Sequence, residues 1–354
     1  MDADEITVAT QANRRRFLRS AAGAAAFAFR SGRTPVFAPA EPGQRVRVLS
    51  IPARPLPAIV AESEGIFSRR EVEVHIELAP NSEVLRAGLA DGGADIAHAA
   101  VDNAVAMVEM SGSDVVILMG GENSANELIA QPGIHSIAEL HGRILLVDAP
   151  NTAYALQLKK LLLSSGLRAG HDYRLNAAGA TPQRLDAMRE HNEYAASILG
   201  PPTSVIAKHE GFVSLGSTRE MIGPYQAIGA FALRSWVRRN PETLVNYLAC
   251  YIEAERWLLD SVHKTSVLDL VRREWHLDAP AASETYALMQ GPNWYQPDAC
   301  LDEEGFRTVL RLRAEIEGQW NGRPPAPEKY CDFSYYQDAL ARLRAKAGHA
   351  AKRL

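Results

Sequence analysis

The sequence predicts an α/β protein with two lobes and a helical C-terminal region. Short apolar strands alternate with helical segments from Arg45 onward, and the same order begins again at Arg143. After Tyr225 the pattern changes to long helices. Strands that alternate with helices form mostly parallel sheets with helices on both faces, so two successive runs indicate two lobes.

The first run contains four predicted strands. Val72–Leu78 alternates strictly between apolar and polar residues, which is typical of a strand with one covered face. The strands are predicted at Val46–Ile51, Val72–Leu78, Asp95–Ala100 and Val115–Met119, and the helices at Ala58–Phe67, Ser82–Leu89 and Asn103–Met110. A loop is expected at Pro52–Pro57, and Gly92-Gly93 is expected to end the second helix.

The second run repeats this plan. Thr181 is predicted to cap a helix whose first turn contains Pro182, where the missing N–H costs nothing. The strands are predicted at Arg143–Asp148, Asp172–Asn176, Ala195–Leu199 and Phe212–Leu215, and the other helices at Thr152–Ser165 and Thr203–Lys208. A long helix begins at Asn240-Pro241 and continues through Leu259, and the chain beyond it is largely helical.

The N-terminus carries the pattern of an export signal. Arg14-Arg15-Arg16-Phe17-Leu18-Arg19 precedes a short, weakly apolar segment at Ala21–Phe29, and an Arg-Arg-x-Phe-Leu core is typical of the twin-arginine route. Ala38-Pro39-Ala40 has the small-x-small form of a cleavage site. The apolar run is too short to span a membrane. We therefore expect residues 1–40 to be removed and the protein to act in the bacterial periplasm.

Composition excludes several classes of function. Residues 1–40 hold six of the 38 basic and three of the 42 acidic side chains, so the remainder has 32 and 39 and a formal charge of −7. An acidic surface argues against nucleic acid as a partner. No later apolar stretch reaches membrane-spanning length. The three cysteines permit one disulfide without indicating which pair forms it, and no Cys or His beside them has metal-ligand spacing.

The candidate site lies where strands end. In open α/β sheets, ligands bind beyond the carboxyl ends of the strands, where helix N-termini present free N–H groups. The candidates from the first run are Arg54, Pro55, Asn81, Ser82, Asp102 and Asn103, with the polar run Gly120–Ser124 after the fourth strand. Those from the second run are Asn151, Thr152, Gly200, Pro201 and, before the return to the first lobe, Tyr225.

Most of these residues also have an ordinary structural interpretation. Arg54 can clamp an anion or remain a solvated loop residue, and Asp102 can face the cleft or only cap a helix. Of Asn81 and Ser82, one can cap while the other faces the cleft. Tyr225 can stack on a planar ligand or merely pack. We find no catalytic motif, because nucleophile elbow, phosphate loop and His-Glu-x-x-His are all lacking, and we expect no metal and no cofactor.

Several elements together resemble the periplasmic solute-binding proteins of the alkanesulfonate, nitrate and thiamine-pyrimidine-precursor type. Ala61 to Phe67 has the form Ala-x-x-x-Gly-x-Phe, and Ala90–Ala97 is similar to the family's Ala-x-Gly-x-x-Asp-Ile element. Ile134–Arg143 resembles the entry into its second lobe, and Tyr330–Leu340 its C-terminal tail. The likeness covers roughly residues 45–345.

The resemblance implies a type II periplasmic binding protein fold, in which two α/β lobes close on a ligand about a hinge. Crossover strands are expected near 126–131 and 226–233. The implied domains are residues 41–128 with 229–354 for lobe one and 129–228 for lobe two. The pocket would draw on the strand-end residues given above. Opposite charges at Arg54 and Asp102 depart from the sulfonate binders and suggest a zwitterionic, or polar and planar, ligand.

The function expected from this resemblance is delivery of a small molecule to the permease and ATPase of an ABC importer. We expect no enzymatic activity and a monomer. A module that presents its ligand to a sensor is an alternative. A further alternative is an enzyme of thiamine-pyrimidine synthesis on the same scaffold, but that enzyme carries a cysteine-rich motif, whereas Cys250, Cys300 and Cys331 are dispersed.

Overall fold

The computed structural model describes residues 45–351, which form two five-stranded sheets. The residues predicted to form an export signal, Arg14, Arg15, Phe17 and Leu18, lie outside the described residues. In chain order the strands are β1 (Arg45–Ser50), β2 (Glu73–Leu78), β3 (Ile96–Ala100), β4 (Val115–Met119), β5 (Glu127–Ala130), β6 (Ile144–Val147), β7 (Arg174–Ala177), β8 (Tyr194–Leu199), β9 (Val213–Ser217) and β10 (Ile228–Leu233).

Each sheet is parallel except for one strand. The first sheet has the order β2-β1-β3-β10-β4, and β10 is antiparallel to both of its neighbours. The second has the order β7-β6-β8-β5-β9, with β5 antiparallel to both neighbours. The chain thus passes from the first lobe, built on the first sheet, into the second lobe before β5 and returns before β10. The predicted two-lobed α/β fold with two crossover strands is confirmed.

Helices cover both sheets and form the C-terminal region. In chain order they are α1 (Leu56–Ser63), α2 (Ile66–Arg69), α3 (Ser82–Ala90), α4 (Asp102–Ser111), α5 (Ala153–Ser164), α6 (Thr181–Glu190), α7 (Thr203–His209), α8 (Thr218–Ile222), α9 (Arg234–Arg239), α10 (Pro241–Leu259), α11 (Lys264–Trp275), α12 (Ala279–Gln290), α13 (Glu303–Glu317) and α14 (Ser334–Ala351). Helix α10 is mostly buried beside the first sheet and packs against α1 and α14.

Two predicted helix boundaries are wrong. The single helix expected at Ala58–Phe67 begins earlier, at Leu56, and is broken into α1 and α2 by Gly65, whose φ of 66° is left-handed. A left-handed residue cannot continue an α-helix, and glycine adopts it without steric cost. Thr181 is the first helical residue of α6 rather than its cap, which is Ala180. The Thr181 hydroxyl instead accepts a hydrogen bond from Arg184.

The three cysteines, all within the described residues, form no disulfide bond with one another. Cys250 is buried in α10, and Cys300 and Cys331 are half-buried in the C-terminal region. Within residues 45–351, no cluster of three or more His, Cys, Asp or Glu side chains is placed to hold a metal ion. Over the same residues no helix combines the length and hydropathy needed to cross a bilayer.

Gly120, at the end of β4, provides a test of packing between the first sheet and the C-terminal region. A Cβ there would lie 2.2 Å from the Cys300 carbonyl oxygen and 2.7 Å from the Leu301 Cα. Because both atoms belong to the backbone, we expect Gly120→Ala to lower the free energy of unfolding by about 1–3 kcal/mol. Gly133→Ala is the control, since its Cβ would meet nothing within 4 Å. Equal urea midpoints for the two variants would contradict this packing.

Candidate functional site

Two adjoining chambers lie between the lobes. The polar chamber, of about 370 Å³, is lined on its polar side by Ser82, Asn103, Asp148, Thr152, Thr181 and Arg184. The aromatic chamber, of about 820 Å³, is lined by Trp275, Trp294 and Tyr295 together with Arg54, Pro55, Glu122, Gly200 and Pro201. The two chambers share wall residues from both lobes, namely Ile51, Pro52, Tyr154, Thr181 and Ile228. Together they form one cleft that is lined by residues of both lobes.

The polar chamber is built from helix N-termini that face each other across the cleft. Ser82 is the first residue of α3 and Asn103 the second of α4, both in the first lobe. Thr152 is the N-cap of α5, and Thr181 begins α6 in the second lobe. Each follows a strand, so the strand-end rule brings these residues together as expected. The chain itself already uses some of their polar groups, because the Thr152 hydroxyl donates to the Ala149 carbonyl oxygen and the Thr181 hydroxyl accepts from Arg184.

A carboxylate of the second lobe contacts the first lobe directly. The Ser82 backbone N–H lies 3.2 Å from Asp148 Oδ2 and 3.4 Å from Oδ1. Asn81 caps the same helix, because its Oδ1 accepts a hydrogen bond from the Val84 N–H at 2.8 Å. The positive end of α3 is therefore already occupied by two acceptors from the chain itself.

Arg184 is the buried cation of the polar chamber. It is 1% exposed and donates to Ser197 Oγ and to the carbonyl oxygens of Gly179 and Ile198. Its guanidinium also lies 5.9 Å from the centre of the Tyr154 ring. Burial lowers the pKa of Arg184 to about 10, although Asp148 acts in the opposite direction. The side chain is held rigidly, so it presents a fixed positive charge at the chamber wall.

Asn103 presents an unused acceptor. Its side chain is 2% exposed, and its Nδ2 donates to the Ala100 carbonyl oxygen at 3.2 Å. Its Oδ1 has no hydrogen-bond partner among the described residues. A buried acceptor without a partner costs free energy, so a ligand that donates a hydrogen bond here would recover that cost.

Three of the predicted ligand-binding residues line the aromatic chamber. Pro55 precedes α1, and Gly200 and Pro201 follow β8. Gly200 is tightly placed, since a Cβ there would lie 2.4 Å from Asn126 Oδ1. Arg54 also lines this chamber, but its guanidinium forms an ion pair with Glu62. Its positive charge is therefore already partnered.

Other predicted residues do not line either chamber. Asp102 does not cap a helix, because Val101 is the N-cap of α4, and it is fully buried against Arg313 of α13. The backbone carbonyl oxygen of Asn151 accepts a hydrogen bond from Arg313 at 3.2 Å. Tyr225 is 3% exposed and packs in the core of the first lobe. Arg54 and Asp102 thus do not form the pair of opposite charges expected across the cleft.

Several lining residues were missed by the sequence reasoning. Asp148 ends a predicted strand and Thr181 starts a predicted helix, so the strand-end rule would have found both. Arg184 lies one turn into the same helix. Glu122 belongs to the polar run after β4. Trp275 and Trp294 come from the C-terminal helical region, where no sequence pattern marks them as cleft residues.

Solved structures with this architecture include periplasmic solute-binding proteins. A protein from Bordetella bronchiseptica RB50 superposes with a TM-score of 0.73 at 19% identity, over 85% of this chain and 98% of that one. The nitrate-binding protein NrtA from Synechocystis PCC 6803 gives 0.69 at 13% identity, over 86% and 90%. The alkanesulfonate-binding protein SsuA from Xanthomonas axonopodis pv. citri, bound to MOPS, gives 0.63 at 14% identity, over 81% and 96%. The fold is therefore that of solute-binding proteins of the alkanesulfonate and nitrate type.

The sequence itself identifies the family. The model of the NMT1-like family matches residues 51–271, which is more than half of the chain. The chain therefore belongs to the NMT1-like family. A comparison with curated protein sequences found no match.

Proposed function

We propose that the protein is the solute-binding component of an ABC importer and acts in the periplasm. It captures a small polar molecule in the interlobe cleft and delivers it to the membrane permease and its ATPase. The observation that carries the proposal is the polar chamber, to which Ser82 and Asn103 contribute from one lobe and Thr152 and Arg184 from the other. The twin-arginine pattern at Arg14–Arg15 supports export.

Capture depends on closure of the lobes. The proposed bodies are the first lobe, expected at residues 41–128 with 229–354, and the second lobe, expected at residues 129–228. The chain crosses between them at β5 and β10. When the two bodies approach, the ligand bridges the cleft-lining side chains of the two lobes, and the closed form then docks on the permease. The contact between Asp148 and the Ser82 N–H supports this view, because it joins the two lobes directly across the chamber.

The charge distribution argues against a simple oxyanion as the ligand. Nitrate or a sulfonate would be expected to use the N-terminus of α3, but Asp148 and Asn81 already accept hydrogen bonds there. Arg184 supplies one positive charge. Asn103 Oδ1 can accept a hydrogen bond from a donor group of the ligand. A polar, planar or zwitterionic molecule satisfies both groups.

A thermal-shift screen of the full chain tests the proposal. The panel contains alkanesulfonates, nitrate, pyrimidines, aromatic carboxylates and amino acids. A ligand at a hundredfold excess over its dissociation constant should stabilise the protein by about 2.7 kcal/mol. Gly200→Val should abolish the shift, because its side chain would meet Asn126 in the chamber wall. Gly133→Val, away from the cleft, should keep it. A ligand that still stabilises Gly200→Val fully would refute capture in this cleft.

A further inference from the structure

Glu122 is a carboxylate of the aromatic chamber that lacks a cationic partner. It lies between β4 and β5, and its Oε2 accepts a hydrogen bond from the Trp294 indole N–H at 2.8 Å. Among the described residues, no Lys, Arg or His nitrogen forms an ion pair with it within 4.0 Å. Arg54, which lines the same chamber, is paired with Glu62 instead. The chamber therefore holds an uncompensated acidic group beside its ligand space.

Aromatic rings lie beside this carboxylate on the chamber wall. The Trp294 ring stacks on Tyr295, with ring centroids 5.4 Å apart and planes inclined by 21°. Trp275 also stacks on Trp294, with ring centroids 6.3 Å apart. All three rings line the chamber. The negative faces of aromatic rings attract cations, and Trp is the strongest of them.

The other ionisable groups near Glu122 are acidic or phenolic. Burial raises the pKa of Glu122 to about 7, although hydrogen bonds from Trp294 and Tyr295 act in the opposite direction. The ionisation of Glu122 is coupled to that of four other groups. These are Glu255 and Tyr251 on α10, Tyr154 on α5, and Tyr295. None of them supplies a positive charge. A cationic ligand group would do so and would favour the ionised form of Glu122.

We propose that the aromatic chamber recognises a protonated amine or an amidinium group of the ligand. Glu122 accepts its N–H hydrogen bonds, and the aromatic wall of Trp275, Trp294 and Tyr295 lies beside its positive charge. This inference rests on the proposed function, because it assigns the chemistry of one half of the ligand captured in the cleft. Arg184 and Asn103 in the polar chamber then contact the opposite half.

Matched probes of one shape and different charge test this assignment. Isothermal titration of the full chain at pH 8 compares benzylamine and benzamidine with benzyl alcohol and benzoate. We expect the two cations to bind at least tenfold more tightly than the alcohol, and benzoate not to bind. Glu122→Gln should remove this preference while leaving the melting temperature within a few degrees of the parent. At pH 5.5 the preference should shrink in the parent, because Glu122 becomes protonated, and should stay unchanged in the variant.

The chain offers a closely matched control. Glu109 also accepts a hydrogen bond from a Trp indole, that of Trp320, at 2.8 Å, but it lines neither chamber. Glu109→Gln should therefore retain the full preference for cations. A preference that persists in Glu122→Gln, or that disappears equally in Glu109→Gln, would overturn the assignment. So would binding of the alcohol as tight as that of the amines, or binding of neither amine.

These outcomes are distinguishable from failure of the proposed function. If a sulfonate, pyrimidine or carboxylate stabilises the parent but not Gly200→Val, while the amines do not bind, the cleft captures a ligand and only the cation assignment is wrong. If no ligand discriminates the parent from Gly200→Val, the proposed capture function itself fails.

Discussion

Replacing Asp102 with Asn is expected to lower the free energy of unfolding by about 3–5 kcal/mol. The side chains of Asp102 and Arg313 are both fully buried, and Arg313 Nη2 lies 2.7 Å from Asp102 Oδ2. Asn cannot balance the guanidinium, which would remain charged in a fully buried site. Because Arg313 also donates to the Asn151 carbonyl oxygen, the pair ties α13 and α4 to the second lobe. Urea unfolding measures the loss.

Two further variants separate loss of the pair from loss of one charge. Arg313→Met should be destabilising by a similar amount, because it leaves Asp102 buried and unpaired. The double variant should lose clearly less free energy of unfolding than the two single variants lose together, since it leaves neither Asp102 nor Arg313 unpaired. Arg307→Met on the same helix is the control, because Arg307 is exposed. Additive losses in the double variant would show that the two side chains do not interact.

Acid should destabilise the protein through His98. This side chain lies in β3, is 1% exposed, and stacks on Tyr251 with ring centroids 4.9 Å apart. Its Nε2 is hydrogen-bonded to the Tyr247 hydroxyl at 2.8 Å. Burial lowers the pKa of His98 from 6.5 to about 3. Between these values the unfolded state binds more protons, so stability is lost as the pH falls, by roughly 2 kcal/mol between pH 6.5 and pH 4.5.

Comparison with His98→Gln isolates this effect. Glutamine removes the titration while its amide can replace the contact with Tyr247, so the variant should lose less stability than the parent over the same interval. Glu122 has the opposite sign, because its raised pKa costs stability as the pH rises from 4.5 to about 7, but this cost is common to both proteins. Parallel profiles for the parent and His98→Gln would exclude a role for His98.

The fold was predictable because local patterns and topology agreed. Alternating apolar strands and capped helices indicated two sheets, and both crossover strands lie where the family resemblance implied. The same reasoning identified Ser82, Asn103 and Thr152 as strand-end residues, and all three line the polar chamber. Parallel strands bring their carboxyl ends to one edge, so position along the chain translates directly into position in the cleft.

The roles of charged residues were not predictable in this way. The partner of Asp102 is Arg313, 211 residues further along the chain, and nothing local distinguishes a helix-start Asp that pairs from one that caps. Arg54 likewise pairs with Glu62, which lies in the following helix, α1. Trp275 and Trp294 reach the aromatic chamber only through the packing of the C-terminal helices. Charge pairing and long-range aromatic packing depend on tertiary distances, which a single sequence does not encode locally.

The placement of β10 has a consequence for the order in which the protein can be assembled. The second sheet is complete once residues 127–217 exist, because all five of its strands lie in that continuous segment. The first sheet has a missing position between β3 and β4 that only β10, at residues 228–233, can fill. During synthesis, the later-encoded lobe can therefore finish first. The facing edges of β3 and β4 stay unpaired until β10 is synthesised, more than a hundred residues later.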